Sequence, residues 1–168
     1  MDISATTAPR SDQQNFDDYS TGPRTVTVVD VRAGSDEQPV EIHLSEYPGR
    51  PYKPSKSMRR VLVAAWGPEA SRYVGRRMTL VGDPTVRFGG AVVGGIKVAA
   101  LSDIDKPLMI SLTVTKGKRA PHTVEPLADL TPTETLKAEW KSATPERRKA
   151  IEAEVKALTA DQPAGESA

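Results

Sequence analysis

The sequence predicts a mainly β protein: a small closed or half-closed barrel of about five to seven short strands with one internal helix, followed by a helical appendage. Three observations predict it. Short β-branched and apolar runs alternate with Gly- and Pro-rich turns through the first three quarters of the chain. Only one stretch there, residues 55–66, has helical spacing. After Leu130 the composition changes to helix formers. At 168 residues there is room for one core of ordinary domain size, about 100–150 residues, plus appendages.

Residues 1–23 are polar and acidic and lack periodicity, so burial cannot repay the entropy of ordering them. A disordered arm is expected there, although Phe16 and Tyr19 offer rings that can dock. The barrel is expected over residues 24–127. Its first strand is the run Thr25-Val26-Thr27-Val28-Val29-Asp30-Val31, and the turn-forming Ala33-Gly34-Ser35-Asp36 leads to a hairpin partner at Val40 to Leu44. Three prolines and a glycine forbid regular structure from Tyr47 to Pro54. Ser55 caps the helix that follows, in which Met58, Val61, Leu62, Ala65 and Trp66 form one buried stripe and Gly67-Pro68 ends it. A short turn from Pro68 to Tyr73 ends at Gly75.

Arg77 to Val81 and Val86-Arg87-Phe88 read as strands, with Gly89-Gly90 turning the chain into Ala91-Val92-Val93. Gly94-Gly95 precedes a strand from Ile96 to Leu101 and suggests a bulge or a close backbone approach. Leu108 to Thr115 and His122 to Leu127 complete the strands around the basic loop Lys116-Gly117-Lys118-Arg119. Beyond it, Thr131-Pro132-Thr133-Glu134 is a capping box with a first-turn proline, and Thr144-Pro145-Glu146 repeats the Thr-Pro start. A helical hairpin over 128–160 is expected, with a disordered tail over 161–168.

Composition excludes several chemistries. There is no cysteine, hence no disulfide, thiolate nucleophile or thiolate zinc site, and His43 and His122 are the only imidazoles. No apolar run approaches the roughly 20 residues of a membrane span, and the first residues lack the pattern of a secretory signal, so the expected location is cytoplasmic with no membrane partner. Charge is distributed unevenly. Residues 1–23 carry one Arg against four Asp, residues 24–127 sixteen Lys/Arg against ten Asp/Glu, and residues 128–168 six against eight. From Arg50 to Arg77, eight cations face one acid, Glu69, and a polyanion is the partner such a window suits.

The stretch from Ser57 to Val98 carries a resemblance. Its amphipathic helix ends in an aromatic residue and Gly, followed by Tyr73-Val74-Gly75-Arg76-Arg77-Met78-Thr79-Leu80, Val86-Arg87-Phe88-Gly89-Gly90 and Val93-Gly94-Gly95-Ile96-Lys97-Val98. This is similar to a group of bacteriophage and prophage proteins associated with recombination or replication genes. The resemblance covers about a quarter of the chain and implies a barrel of the oligonucleotide/oligosaccharide-binding type that binds single-stranded DNA. The N-terminal arm and the C-terminal helices lie outside it, and the acidic tail ending in Pro-Phe of bacterial single-stranded DNA-binding proteins is missing.

Sequence-tolerant single-strand binding needs cations along the phosphates and aromatic faces for the bases. Lys53, Lys56, Arg59, Arg60, Arg76, Arg77, Arg87 and Lys97 are the candidate phosphate contacts, joined by Lys116, Lys118 and Arg119 on a loop. Tyr52 and Phe88 are the candidate stacking rings, with Tyr47 third. Arg87 and Phe88 are adjacent in a β segment and point to opposite faces, so one of them looks into the core. Aromatic residues make up 5% of the chain, so binding is expected to lean on phosphates and to weaken as salt rises. No cofactor and no catalytic residue is expected.

Two other classes compete. A metal-dependent nuclease would draw on Asp103, Asp105 and Lys106 with Asp83 or Glu41, but Pro107 favours a loop there and the carboxylate-to-lysine spacing is wrong. A protein-interaction module would use the C-terminal stripes Leu136/Trp140 and Ile151/Val155/Leu158. These either pack on the barrel or stay exposed for self-association, a recombinase or a host protein.

Overall fold

A computed structural model describes residues 11–160. They divide into two compact units, one ending at Leu127 and the other beginning at Ala128. The first is a mixed α/β unit whose centre is a six-stranded sheet in the order β2-β1-β3-β6-β8-β7. Here β1 is Arg24–Ala33, β2 Val40–Leu44, β3 Arg77–Asp83, β6 Gly95–Leu101, β7 Leu108–Thr115 and β8 Lys118–Pro126. A separate two-stranded ribbon joins β4, Arg87–Phe88, to β5, Ala91–Val92. All pairs are antiparallel except β6 with β8, where Ala100 meets Glu125 and Leu101 meets Pro126.

The barrel expected from the sequence is not closed, because β2 and β7 end the sheet at opposite edges. Strand number and hairpin connections agree with the expectation. Closure needs a pairing between chain-distant edges, and no local pattern encodes one.

Period-two alternation in β1 and β3, carried into β6 across a one-residue bulge, separates two faces. Val26, Val28, Met78, Leu80, Val98 and Leu101 are buried on the inner face. Helix α1, Lys56–Trp66, joins the same core with Met58, Val61, Leu62 and Trp66. Its start and stop are local: Ser55 Oγ accepts the Met58 N–H at 3.3 Å, and Gly67 takes φ +88° beyond the last turn. The outer face holds Thr25, Thr27, Arg77, Thr79, Val81, Lys97 and Ala100, in register as Thr27–Arg77, Thr25–Thr79–Ala100 and Val81–Lys97. The bulge leaves Ala99 unopposed across from Thr79 and Leu80, and beside it the Val98 N–H donates to the Met58 sulfur at 3.3 Å.

The expected disordered arm is ordered from residue 11, a correction with a specific cause. Arg50 donates to both carboxylate oxygens of Asp18 at 2.9 Å and to the Ser11 and Gln13 carbonyls, while Gln14 bonds the backbone at Arg50 and Pro51. A 3-10 turn, Phe16–Tyr19, thereby seats Tyr19 in the core at 2% exposure. Residues 1–10 and 161–168, expected to be disordered, lie outside the described residues.

In the second unit, α2 (Pro132–Trp140) and α3 (Pro145–Ala160) form the expected helical hairpin. Thr131 and Glu134 make the reciprocal capping box, Leu136 and Ile151 are buried, and Arg147 bonds Glu139 and Glu154. Among the described residues no helix is long and apolar enough to cross a membrane.

Candidate nucleic-acid interface

The predicted site residues fall into three groups: locked, outward-facing on the sheet side, and outward-facing on the helix side. Tyr52 heads the first. It forms a bridge to Ile42, its hydroxyl reaches the Ile96 carbonyl at 3.4 Å, and only 1% of it is exposed. Burial pushes its hydroxyl pKa up, and no ring face is left for a base. Its place among the stacking rings is therefore withdrawn: the proline-rich loop, irregular as expected, lays Tyr52 beside β2 in a single bridge. Tyr47 is half-buried and lies against Tyr19 with ring centroids 6.3 Å apart.

Lys53 is also locked. Its ammonium is 3.1 Å from Glu41 and its side chain is 14% exposed, and that bond holds the Glu41 carboxyl below its usual range. Arg76 lies 5.5 Å over the Trp66 ring and 4.0 Å from Asp103, half-buried against the end of the helix. These two cations support the fold more directly than they face solvent.

On the sheet side, Arg77 opposes Thr27, and its backbone N–H donates to Ser102 Oγ at 2.9 Å. Lys97 bonds Asp83. Burial opposes ionisation of Asp83, yet that bond and those from the Thr85 hydroxyl and amide bring its carboxyl down to about 2. Two hairpins carry further cations. The β4–β5 ribbon presents exposed Arg87, and its Phe88 pairs through the backbone with Ala91. The β7–β8 hairpin turns at Lys116-Gly117, with Gly117 at φ +78° and Thr115 opposite Lys118, so Lys118 and Arg119 begin a strand that the sequence placed four residues later. Lys116, Lys118 and Arg119 are all exposed, and no acid occurs between Leu108 and Val124.

On the helix side, Lys56 and Arg60 are exposed and Arg59 is half-buried. Because α1 covers the inner face, its solvent side points away from Arg77 and Lys97. The single groove expected to gather helix and strand cations is thus split between opposite sides of the sheet. Arg59 instead borders an apolar cleft of about 310 Å3, lined also by Val31, Leu62, Val63 and Tyr73. Sequence reasoning missed this cleft, and also the row of small uncharged residues Thr25, Thr79 and Ala100. The alternation in Thr25-Val26-Thr27-Val28 was the available signal for the row; the cleft arises from segments far apart in the chain and had none.

The nuclease residues do not converge. Asp83 and Glu41 are engaged with Lys97 and Lys53, and Asp103 accepts from Ser102 Oγ at 2.6 Å. Among the described residues no three His, Asp or Glu side chains gather as metal ligands would. The chain matches no protein-family model, no curated protein and no solved structure.

Proposed function

We propose that this chain binds single-stranded DNA without sequence preference, as an accessory of phage recombination or replication. The observation that carries the reading is the β7–β8 hairpin, which exposes Lys116, Lys118 and Arg119 at and beside its turn with no acid from Leu108 to Val124, Arg119 also donating to the Ser111 carbonyl at 3.3 Å. Arg87 on the second hairpin and Arg77 on the outer face extend the basic track, Lys97 beside them being paired with Asp83, and the Thr25–Thr79–Ala100 row leaves room for a backbone to approach. Strand order supports the same reading. The series β1-β3-β6-β8-β7, with its one parallel pair, follows an oligonucleotide-binding Greek-key barrel that has been opened, in which the second and third strands and the loop between the last two carry the ligand. With Tyr52 buried, affinity rests on phosphates, with Phe88 in the stacking role expected from the sequence.

The test is fluorescence anisotropy with labelled single-stranded DNA, duplex and RNA at several salt concentrations. The single strand is expected to bind most tightly. Reversing Lys116, Lys118 and Arg119 to Glu should weaken binding by at least about tenfold and lower the salt slope by about 2, since each lost phosphate contact on a single strand removes about 0.7. Arg59→Glu with Arg60→Glu, on the other side of the sheet, should change affinity much less. Absence of single-strand binding at low salt rejects the proposal.

A second reading concerns the C-terminal unit alone. Trp140, Ile151 and Val155 line an open cleft of about 450 Å3 between α2 and α3, with Lys137, Glu152 and Lys156 around it. Such an apolar floor suits a recombinase or host-protein segment, and loss of a co-purifying partner on Trp140→Ala would support it.

A further inference from the structure

The cleft of about 310 Å3 lies between α1 and the β1–β2 hairpin, with Val31 and Val40 lining it from the hairpin and Leu62 and Val63 from the helix. Only three of its lining side chains carry a polar group: Arg32, Arg59 and Tyr73. Two of them are engaged. The Tyr73 hydroxyl donates to the Gly67 carbonyl at 2.8 Å, and Arg32 is paired with Asp30 at 2.6 Å. Arg59 differs from both. It is half-buried, one of its amino groups is 3.5 Å from the carbonyl of Pro54, itself a lining residue, and among the described residues no carboxylate pairs with it, Glu69 included. A bond of that length fixes the guanidinium at the cleft and leaves most of its donors to solvent or a ligand.

We infer that this cleft binds the anion of a medium-chain carboxylic acid, with the alkyl chain against the valines and Leu62 and the carboxylate on Arg59. Charge sets the head group. One unpaired cation partly withdrawn from water calls for a single negative charge, and a guanidinium takes a carboxylate through two parallel bonds. The lining sets the body: no free hydroxyl, amide or acid side chain is present to orient a sugar, a base or another polar ligand, as sites for such molecules require. A peptide is disfavoured for a related reason, because its amides need partners and Pro39, Pro54 and Pro68 in the lining have no N–H to give. Size sets the length. At roughly 20–30 Å3 per non-hydrogen atom, the upper figure being that of liquid water, the cleft holds about 10–15 such atoms, or about eight to twelve carbons with the carboxylate oxygens. Lys56 and Arg60, exposed on the same helix, add attraction for an anion without lining the cleft.

The test follows the valine and leucine methyl signals of the full chain by NMR during titration with sodium octanoate, 1-octanol or octylammonium. Concentrations from about 0.05 to about 3 mM bracket the Kd, on the order of 0.1–1 mM, expected for a ligand of this size. Octanoate should move the signals of Val31, Val40, Leu62 and Val63 saturably and bind at least about fivefold more tightly than octanol, with octylammonium weakest. Arg59→Met keeps an apolar stem and removes the charge, so octanoate should fall to the affinity of octanol or below while octanol is unchanged. Ala70→Phe, at an exposed position of the lining, should exclude both ligands with circular dichroism and melting as in the parent. Signals that stay in place up to about 3 mM overturn the inference, whether another part of the chain fills the cleft or the anion is simply not held. So does octanol or octylammonium binding as tightly as octanoate, or octanoate binding that survives either substitution. A short oligothymidylate that competes with octanoate for the same signals also overturns it, since the cleft would then belong to DNA.

Discussion

Trp66 Nε1 donates to the Ser102 carbonyl at 2.8 Å, joining the last residue of α1 to the residue that follows β6. Both residues are buried, at 3% and 4% exposure, and the Ser102 side chain continues the link: its Oγ accepts from the Arg77 N–H and donates to Asp103. A helix and two strands meet at one polar junction inside an apolar core. Trp66→Phe keeps most of the ring but leaves that carbonyl buried without its donor. A loss of about 1–3 kcal/mol in urea unfolding is expected, with an unchanged m-value. A loss within experimental error would mean that the junction does not hold the helix.

Arg50 fastens the N-terminal segment. Asp18 is 7% exposed and Arg50 22%, so Arg50→Met strands a largely buried carboxylate and removes the donors to the Ser11 and Gln13 carbonyls. A cost of about 2 kcal/mol or more is expected. Residues 11–23 should show it first, as faster amide exchange and new proteolytic cleavage there, with β3 and β6 still protected.

Gly94 sits at φ +75°, and a Cβ placed on it would lie 2.6 Å from Phe16 Cγ. Gly117 has a similar φ of +78° with open space around it. Gly117→Ala therefore meets backbone strain alone, about 1–2 kcal/mol, whereas Gly94→Ala also displaces the Phe16 ring. The Gly94 variant should melt at a distinctly lower temperature. Truncating Phe16 to Ala in that background should recover part of the difference, and no recovery would refute the packing argument.

The Asp83–Lys97 pair predicts an acid-dependent stability. Because the folded-state pKa of Asp83, about 2, lies below its unfolded value, the ionised carboxylate stabilises the fold above about pH 4. That contribution, roughly 2 kcal/mol, is lost as pH falls through 2. Asp83→Asn should lower stability at neutral pH by about this amount and flatten the decline between about pH 4 and 2. Chemical unfolding at several pH values measures both, and parallel curves for the two proteins would exclude the linkage.

What the sequence determined is local. Ser55 and Gly67 bound α1, Thr131 and Glu134 start α2, and alternation in Thr25-Val26-Thr27-Val28 marks a strand with one wet face, because caps, turns and period depend on residues only a few positions apart. Tertiary structure decided what depends on distant partners: that Arg50 would order residues 11–23, that Tyr52 would close over β2 rather than face solvent, and that β6 and β8 would run parallel while β2 and β7 stayed apart. The candidate site divides along the same line. Its cations were all readable as residues, but a charge pattern along a chain does not specify which side of a sheet each one reaches. Packing α1 on the inner face sent Arg59 and Arg60 one way and Arg77 and Lys97 the other.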